Sequence, residues 1–218
     1  MAIVIEHSLS LSALRFVHAA RIRVWKGEAC LRSGGVTVLL KAGESFAVPA
    51  FIRFSCHTHN TGQTVMWSLA LECGSEAMQA INDGSKPWSR DLAQMIFADP
   101  AAPWTAAQVA QRWQITIPKM RARLFAEGES LRSLLREQRV SHAFYRLARI
   151  DADVSGILPS LRHEASGFTS GEALAHACLD VIGMPPEILQ RSIALWSATQ
   201  HAPAQKNERQ VPRYRRYF

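Results

Sequence analysis

The spacing of the hydrophobic residues changes after residue 74. Before this point, short apolar runs at 35–40, 45–54 and 64–72 are rich in β-branched and aromatic residues and are separated by Gly, Pro, Asn and Ser. Such runs are typical of strands, and their close spacing predicts a small N-terminal β-sandwich or barrel. A cluster of turn-forming residues at 82–89 indicates where this β-rich part ends.

Beyond this cluster the apolar residues recur at helical spacing. Ser89 is the expected N-cap of a first helix, which should stop at Asp99 and Pro100. Thr105 and Gln108 have the spacing of a capping box and predict the start of a second helix.

A short helix with a basic surface is predicted within QITIPKMRARLF, residues 114–125. Thr116 is its expected N-cap, Pro118 falls in the first turn, and Gly128 closes it. Together with the preceding helix it makes a helix-turn-helix, a motif whose second helix can enter the major groove of DNA. Ser130 then caps a longer helix. The inward face of the short helix is formed by Ile117, Met120 and Leu124.

The outward face of this short helix has a composition that suits DNA. Small residues permit a close approach to a groove, arginine can hydrogen-bond guanine through two donors, and lysine can pair with phosphate. Most basic helix faces are simply exposed to solvent. The pattern alone is therefore also compatible with an ordinary amphipathic helix that contacts no DNA. The candidate DNA-contacting residues are Thr116, Pro118, Lys119, Arg121, Ala122 and Arg123.

The charge of the chain is concentrated around this helix. The 218 residues have a formal net charge of +7 and a sequence pI of about 9.7. Residues 119–149 hold eight bases and three acids, 150–190 hold one base and six acids, and 191–218 hold six bases and one acid. A basic chain favours an anionic partner, usually nucleic acid and sometimes a membrane surface.

Other functional classes find little support. The four cysteines form no CxxC pair, which argues against a zinc or redox motif. No Ser/His/Asp arrangement, paired carboxylate site or phosphate-binding loop stands out, so we expect no enzyme activity and no cofactor. Neither a signal peptide nor a stretch long enough to cross a membrane is indicated, and we expect a cytoplasmic protein.

Two histidines leave one enzymatic alternative open. His57 and His59, two residues apart on a strand, are a fragment of the metal site of a cupin, which also needs a carboxylate and a third histidine. Glu72 is the nearest acid downstream, at the wrong spacing. Half-exposed strand histidines are the favoured interpretation, and we expect no metal.

Residues 104–149 resemble the first helix-turn-helix of the AraC/XylS family of bacterial transcription regulators. The preceding residues 95–104 are similar to the acid-response and virulence regulators of that family in enteric bacteria. The matching residues are Trp104, Thr105, Val109, Ala110, Ile115, Thr116, Met120, Arg121, Arg123, Leu124, Glu127, Gly128, Ser130, Leu134, Leu135, Arg139 and Ala143.

A second segment, residues 167–186, resembles the second helix-turn-helix of the family. Its matching residues are Gly167, Phe168, Ser170, Leu174, Gly183 and Pro186. The joining helix over 131–149 would span ~28 Å, which is compatible with units reading adjacent turns of DNA. The resemblance implies that the DNA-facing residues of the second unit are Ser170, Gly171, Glu172 and His176.

The second unit departs from the family pattern. His163 replaces a usual alanine, Pro159 interrupts its first helix, and Cys178 replaces a core aromatic residue. Asp180 adds a second acid to the DNA-facing helix, and carboxylates repel phosphates. We therefore expect the first unit to supply most of the DNA affinity. In that unit Phe125 replaces a usual polar or basic residue. Packing on the N-terminal domain is the favoured interpretation, and a core position is the alternative.

These observations together predict an α+β protein: a cupin-like N-terminal β-sandwich or barrel, followed by two helix-turn-helix units joined by a long helix. The resemblance implies a sequence-specific regulator of transcription, in most cases an activator. Its expected partners are double-stranded DNA, RNA polymerase, a second copy of the chain, and a small-molecule or protein effector at the N-terminal domain. The alternative is an interaction protein of weak DNA affinity that contacts polymerase, a chaperone or a second regulator.

The expected parts are a sensing or dimerisation domain at 1–85, the first unit with its linking helix at 86–149, the second unit at 150–195 and a basic tail at 196–218.

Overall fold

The computed structural model of the chain describes residues 3–6, 10–58, 65–72, 86–150 and 163–188. The N-terminal part consists of strands, which pair into two antiparallel sheets of four strands each. The strands are β1 (Ile3–Glu6), β2 (Ser10–Leu14), β3 (Ala19–Lys26), β4 (Glu28–Ser33), β5 (Val36–Lys41), β6 (Ser45–Val48), β7 (Phe54–Thr58) and β8 (Met66–Glu72).

The two sheets enclose an apolar core. One sheet has the order β1-β8-β3-β6 and the other β2-β7-β4-β5. Burial alternates along β7, as expected for a strand with one face in a core. Ile22, Leu31 and Trp67 are fully buried between the sheets. The predicted N-terminal β-sandwich is therefore confirmed.

The apolar run at 45–54 does not form one continuous strand. It supplies β6 in one sheet and only the first residue of β7 in the other. Pro49, which has no backbone N–H to donate to a ladder, follows β6 directly. Phe51 has a φ of +64°, a left-handed conformation that interrupts a strand. The chain crosses between the sheets at this point.

The remainder of the described chain is helical, which confirms the α+β fold. Ser89 is not the cap of the first helix, because that helix begins two residues earlier at Pro87 and Ser89 is buried within its first turn. The helices are α1 (Pro87–Ala98), α2 (Ala106–Arg112), α3 (Ile117–Ala126), α4 (Leu131–Ile150) and α5 (Gly171–Ile182), with a 3-10 turn at His163–Ser166 before α5. None of the helices described is long and apolar enough to cross a membrane.

The core of the sandwich continues into the helices through aromatic contacts. The ring of Phe16, in the loop after β2, lies 6.2 Å from that of Phe54 in β7. It also lies 6.4 Å from Phe97 in α1 and 6.3 Å from Phe144 in α4. All four side chains are buried. Because α4 packs against both α1 and α5, it connects the sandwich, the first helix α1 and the second unit.

Candidate nucleic-acid interface

Local hydrogen bonds define both ends of α3. The Thr116 side chain accepts a hydrogen bond from the Lys119 backbone N–H at 3.4 Å, as expected of an N-cap. At the other end Gly128 has a φ of +73°. The Glu129 N–H donates to the Leu124 carbonyl at 2.8 Å, which completes a Schellman motif. The predicted start and end of the helix are therefore confirmed.

The two faces of α3 have different surroundings. Met120 and Leu124 are buried, and Ile117 is half-buried beside them. The opposite face is open and carries no acid, since α3 contains three bases and no Asp or Glu. The predicted DNA-contacting residues that are exposed are Thr116, Pro118, Lys119, Arg121 and Ala122.

Arg123 is placed differently from the other predicted contact residues. Its guanidinium lies 3.7 Å from the ring centroid of Trp88 in α1, and the side chain is half-buried. The Trp88 ring in turn meets the Trp113 ring edge-on at 5.0 Å. Two residues along a helix correspond to a rotation of about 200°, so Arg121 and Arg123 flank opposite sides of the outward face. The stacked guanidinium holds α3 on α1 and is turned away from the face that would meet DNA.

Phe125 does not pack on the N-terminal domain. Its side chain is 82% exposed, so the expectation from the sequence is wrong. The residue lies on the outward side of α3 because it follows the buried Leu124 by one position and is turned away from the core.

Two glutamates at the end of α3, Glu127 and Glu129, connect this helix to other elements. The sequence alone predicted no contact for either of them. Glu127 accepts hydrogen bonds from the backbone N–H groups of Trp88 and Ser89 at 3.1 and 2.7 Å. It also accepts one from the Ser89 hydroxyl at 2.5 Å. These N–H groups belong to the first turn of α1, where a carboxylate is favoured by unpaired donors and by the helix dipole. Glu127 therefore ties the C-terminus of α3 to the N-terminus of α1.

Glu129 belongs to a buried cluster of charges between the sandwich and the helices. Arg15 donates to Glu129 at 2.8 Å and also to Glu137 of α4. Arg53 lies 3.1 Å from Glu137, and Lys86 lies 3.5 Å from Glu129. Arg15, Glu129 and Glu137 are all buried, so removing one member leaves a charge with too few partners.

The environment of Glu129 favours its charged form. Burial by itself raises the pKa of this carboxyl group. The hydrogen bond and charge of Arg15, with the charges of Arg53 and Lys86, outweigh burial and hold the pKa of Glu129 below its ordinary value. Glu129 therefore carries its charge in the cluster, and its contacts fix the end of α3 relative to the sandwich.

An open groove of about 980 Å³ separates α3 from α5 and is floored by α4. Phe125, Leu135 and Phe168 supply much of its apolar lining. The single acid in the lining, Glu129, is buried and paired. Its cationic or titratable lining side chains are Arg121, Arg132, Arg136, Arg139 and His176. The groove between α3 and α5 is therefore lined by more bases than acids.

The second unit has a well-formed helix with a different outward face. The Ser170 side chain accepts a hydrogen bond from the Ala173 N–H at 3.1 Å and caps α5. Gly171, Glu172 and His176 are exposed beside it. The helix contains two acids and no Lys or Arg, and its Asp180 is ion-paired with Arg136 of α4. Its outward face is thus neutral to acidic.

Close packing at Gly167 holds the second unit against the first. A Cβ at this position would lie 2.0 Å from the Pro100 carbonyl oxygen and 2.6 Å from the Arg139 Nε. Gly167 also has a φ of +77°, which favours glycine. Arg139 completes the contact by donating to the carbonyl oxygens of Pro100 at 2.9 Å and Ala102 at 3.3 Å.

The remaining candidates from the sequence are His57, His59, Pro159 and the basic tail. His57 is half-buried on β7, and its Nδ1 is hydrogen-bonded to the Ser10 hydroxyl. His59, Pro159 and the tail 196–218 lie outside the described residues. Within the described ranges, no group of three His, Cys, Asp or Glu side chains is arranged to hold a metal ion.

Comparison with known proteins finds similarity in structure rather than in sequence. No protein-family model and no curated protein matches the sequence significantly. The crystal structure of ToxT from Vibrio cholerae O395 matches with a TM-score of 0.63 at 12% identity, covering 88% of this chain and 97% of that chain. Wild-type ToxT from Vibrio cholerae strain SCE256 with a bound unsaturated fatty acid matches with a TM-score of 0.61 at 11% identity, covering 88% and 95%. The chain therefore shares its fold, over most of its length, with ToxT.

Proposed function

We propose that the chain is a sequence-specific transcription regulator of the AraC type, which reads the major groove of DNA mainly through α3. The outward face of α3 carries this proposal: Lys119 and Arg121 are exposed beside the small residues Pro118 and Ala122, on a helix without acids. Lysine and arginine at such positions can contact phosphates and base edges. The fold shared with ToxT, an AraC family virulence regulator, supports the same function.

The two units contribute unequally in this proposal. Arg121 and Arg132 of α4, which line the groove, extend the positive surface of α3 toward α5. On α5, Asp180 is paired with Arg136, and Glu172 would face the phosphates at a cost in Coulomb energy. We infer that α3 supplies most of the affinity and that α5 adds little.

The regulatory outcome that we infer is activation through a contact with RNA polymerase. The N-terminal sandwich is proposed to bind an effector or a second copy of the chain. ToxT has been crystallised with an unsaturated fatty acid, so amphipathic carboxylates are the first effectors to test. A change in the DNA affinity of the full chain on adding such a compound would support this part of the proposal.

Selection of DNA by the full-length protein tests the central proposal. We expect the protein to enrich a common sequence from random duplexes that span two helical turns. Its affinity for that sequence should fall steeply with salt, with a slope of about −0.9 per neutralised phosphate, and should exceed the affinity for a scrambled duplex by about 10³-fold or more. Lys119→Ala should make the slope shallower by about one. Equal binding to all duplexes would contradict sequence-specific regulation.

A second candidate is a co-regulatory protein that acts through α5. On that helix Glu172 is 86% exposed and Leu179 is 47% exposed, and an apolar residue bordered by acids suits a protein surface better than DNA. Under this alternative the chain would show no preferred DNA sequence. Leu179→Ala would then disrupt its complex with RNA polymerase, whereas Lys119→Ala would leave that complex intact.

A further inference from the structure

The outward face of α3 contains an apolar stripe whose largest member is unusually exposed. Phe125 is 82% exposed, whereas the next large hydrophobic residue in the described chain, Leu39, is 48% exposed. Pro118, Ala122 and Phe125 occupy positions i, i+4 and i+7, which lie on one side of a helix. All three are exposed, and they lie opposite the buried side of α3.

The chemistry of this stripe limits what it can recognise. The side chains of Pro118, Ala122 and Phe125 have no donor or acceptor, so they cannot hydrogen-bond a base edge. In the major groove only thymine presents an apolar group, its 5-methyl, and Phe and Ala are among the side chains that contact it. Lys119 and Arg121 flank the stripe and can contact phosphate or guanine.

We infer that Phe125 is a specificity-determining residue that contacts the 5-methyl group of a thymine in the DNA site. The inference rests on the proposed function, because it assigns a base to the helix proposed to enter the major groove. Pro118 and Phe125 are seven residues apart, which is about 10 Å along α3 and close to the rise of three base pairs. With α3 lying along the groove, the thymine would be about three base pairs from the bases opposite Pro118.

Charge complementarity favours DNA over a protein as the group that covers Phe125. Arg121 of α3 and Arg132 of α4 line the same groove as Phe125. The one acid lining that groove, Glu129, is already paired with Arg15. DNA satisfies both requirements of this surface, since phosphates pair with the arginines and a thymine methyl contacts the ring.

Replacing thymine by uracil in the selected duplex tests the inference, because this change removes only the methyl group. The full-length protein is titrated with duplexes in which each thymine in turn is uracil. We expect one position to weaken binding about three- to tenfold, the range that one buried methyl group provides. Phe125→Ala should weaken binding to the thymine duplex by at least as much and should abolish the effect of uracil at that position.

Three controls make the outcome unambiguous. Leu179→Ala removes an exposed apolar side chain from α5 and should leave the uracil effect unchanged. Lys119→Ala should lower affinity and the salt dependence of binding, while Phe125→Ala should lower affinity alone. Because Phe125 is exposed, its replacement does not open a cavity in the core, and circular dichroism should be unaltered.

The failures of the two proposals are distinguishable. If the wild-type protein selects no sequence, the proposed function fails and the inference fails with it. If it selects a sequence but uracil has the same effect on wild type and Phe125→Ala at every position, only the inference is overturned. Unchanged DNA binding in Phe125→Ala would also overturn it and would assign the exposed ring to a protein partner.

Discussion

The helices α3 and α5 are built alike but differ in surface charge. Each begins at a hydroxyl N-cap, Thr116 or Ser170, and each is followed by a glycine with positive φ. The outward face of α3 is basic, while that of α5 has two acids and no Lys or Arg. The comparison shows that the signals that cap these helices are independent of the residues that set their surface charge. A well-capped helix in the right place is not evidence of DNA contact.

The two units also differ in how they are held. Carboxylates fix the end of α3, with Glu127 on the first turn of α1 and Glu129 on the buried arginine of the sandwich. A tight steric fit at Gly167 fixes the second unit. The first attachment depends on charge and pH, whereas the second depends on shape.

The largest expected effect comes from removing the cations of α3. The double substitution Lys119→Ala with Arg121→Ala should lower DNA affinity by about 10²- to 10⁴-fold, since each contact contributes about 1–3 kcal/mol. The matched double substitution Glu172→Ala with His176→Ala should change DNA affinity by less than about threefold, because exposed charged groups that make no close contact with DNA contribute little. Fluorescence anisotropy with the selected duplex measures both. Equal losses would show that α3 and α5 contribute equally to DNA affinity and would contradict the proposed asymmetry between them.

Glu129→Gln tests the charged attachment of the first unit. At pH 7 we expect a loss of about 3 kcal/mol in the free energy of unfolding, because the buried charge of Arg15 loses one of its two carboxylate partners. The pKa of Glu129 is lowered in the folded protein, so its stabilisation is complete above the ordinary value of 4.5 and is lost as the pH falls through the lowered value.

Urea unfolding as a function of pH measures this contribution. The wild-type protein should lose stability on acidification by more than Glu129→Gln does, and the two curves should converge at low pH. Glu172→Gln, on an exposed side chain of α5, serves as the control and should follow the wild-type curve. Parallel curves for wild type and Glu129→Gln would show that the charged form of Glu129 does not hold α3 in place.

Gly167→Ala tests the steric attachment of the second unit. The added Cβ would meet the Pro100 carbonyl oxygen at 2.0 Å in a conformation with positive φ, and we expect a destabilisation of about 2–3 kcal/mol. Calorimetry measures this loss, with Gly171→Ala as the control because nothing lies within 4 Å of a methyl group added there. DNA affinity should fall less than about fivefold if α3 dominates. A loss as large as that of the α3 double substitution would mean that the second unit contacts DNA.

Neutralising the acids of α5 should have the smallest effect, in the opposite direction. Glu172→Gln with Asp180→Asn should raise DNA affinity about two- to fivefold at low salt, because one repulsive charge is removed and Arg136 is released from its ion pair. The gain should disappear at high salt, where such exposed charges are screened. An unchanged affinity at low salt would place α5 away from the phosphates.

Features governed by local sequence could be predicted well. The Thr105 and Gln108 capping box, the Thr116 cap and the turn at Gly128 depend on residues within one helical turn of each other. The alternation of apolar residues likewise predicted the sandwich. The extent of the strand at 45–54 was wrong: Pro49 ends β6 within this run, and the left-handed conformation of Phe51 is one that a Phe rarely adopts and its sequence does not indicate.

The sequence by itself determined which segments become helices and strands and which recognition helix is basic, because caps, periodicity and charge are properties of neighbouring residues. Only the tertiary structure decided the roles of individual side chains on those helices. It turned Arg123 onto Trp88 and left Phe125 open on the same helix. It also joined Arg15 to Glu129 across 114 residues of sequence. Such pairings depend on which elements pack together. The packing is determined by the burial of apolar surface throughout the core, which involves all segments at once.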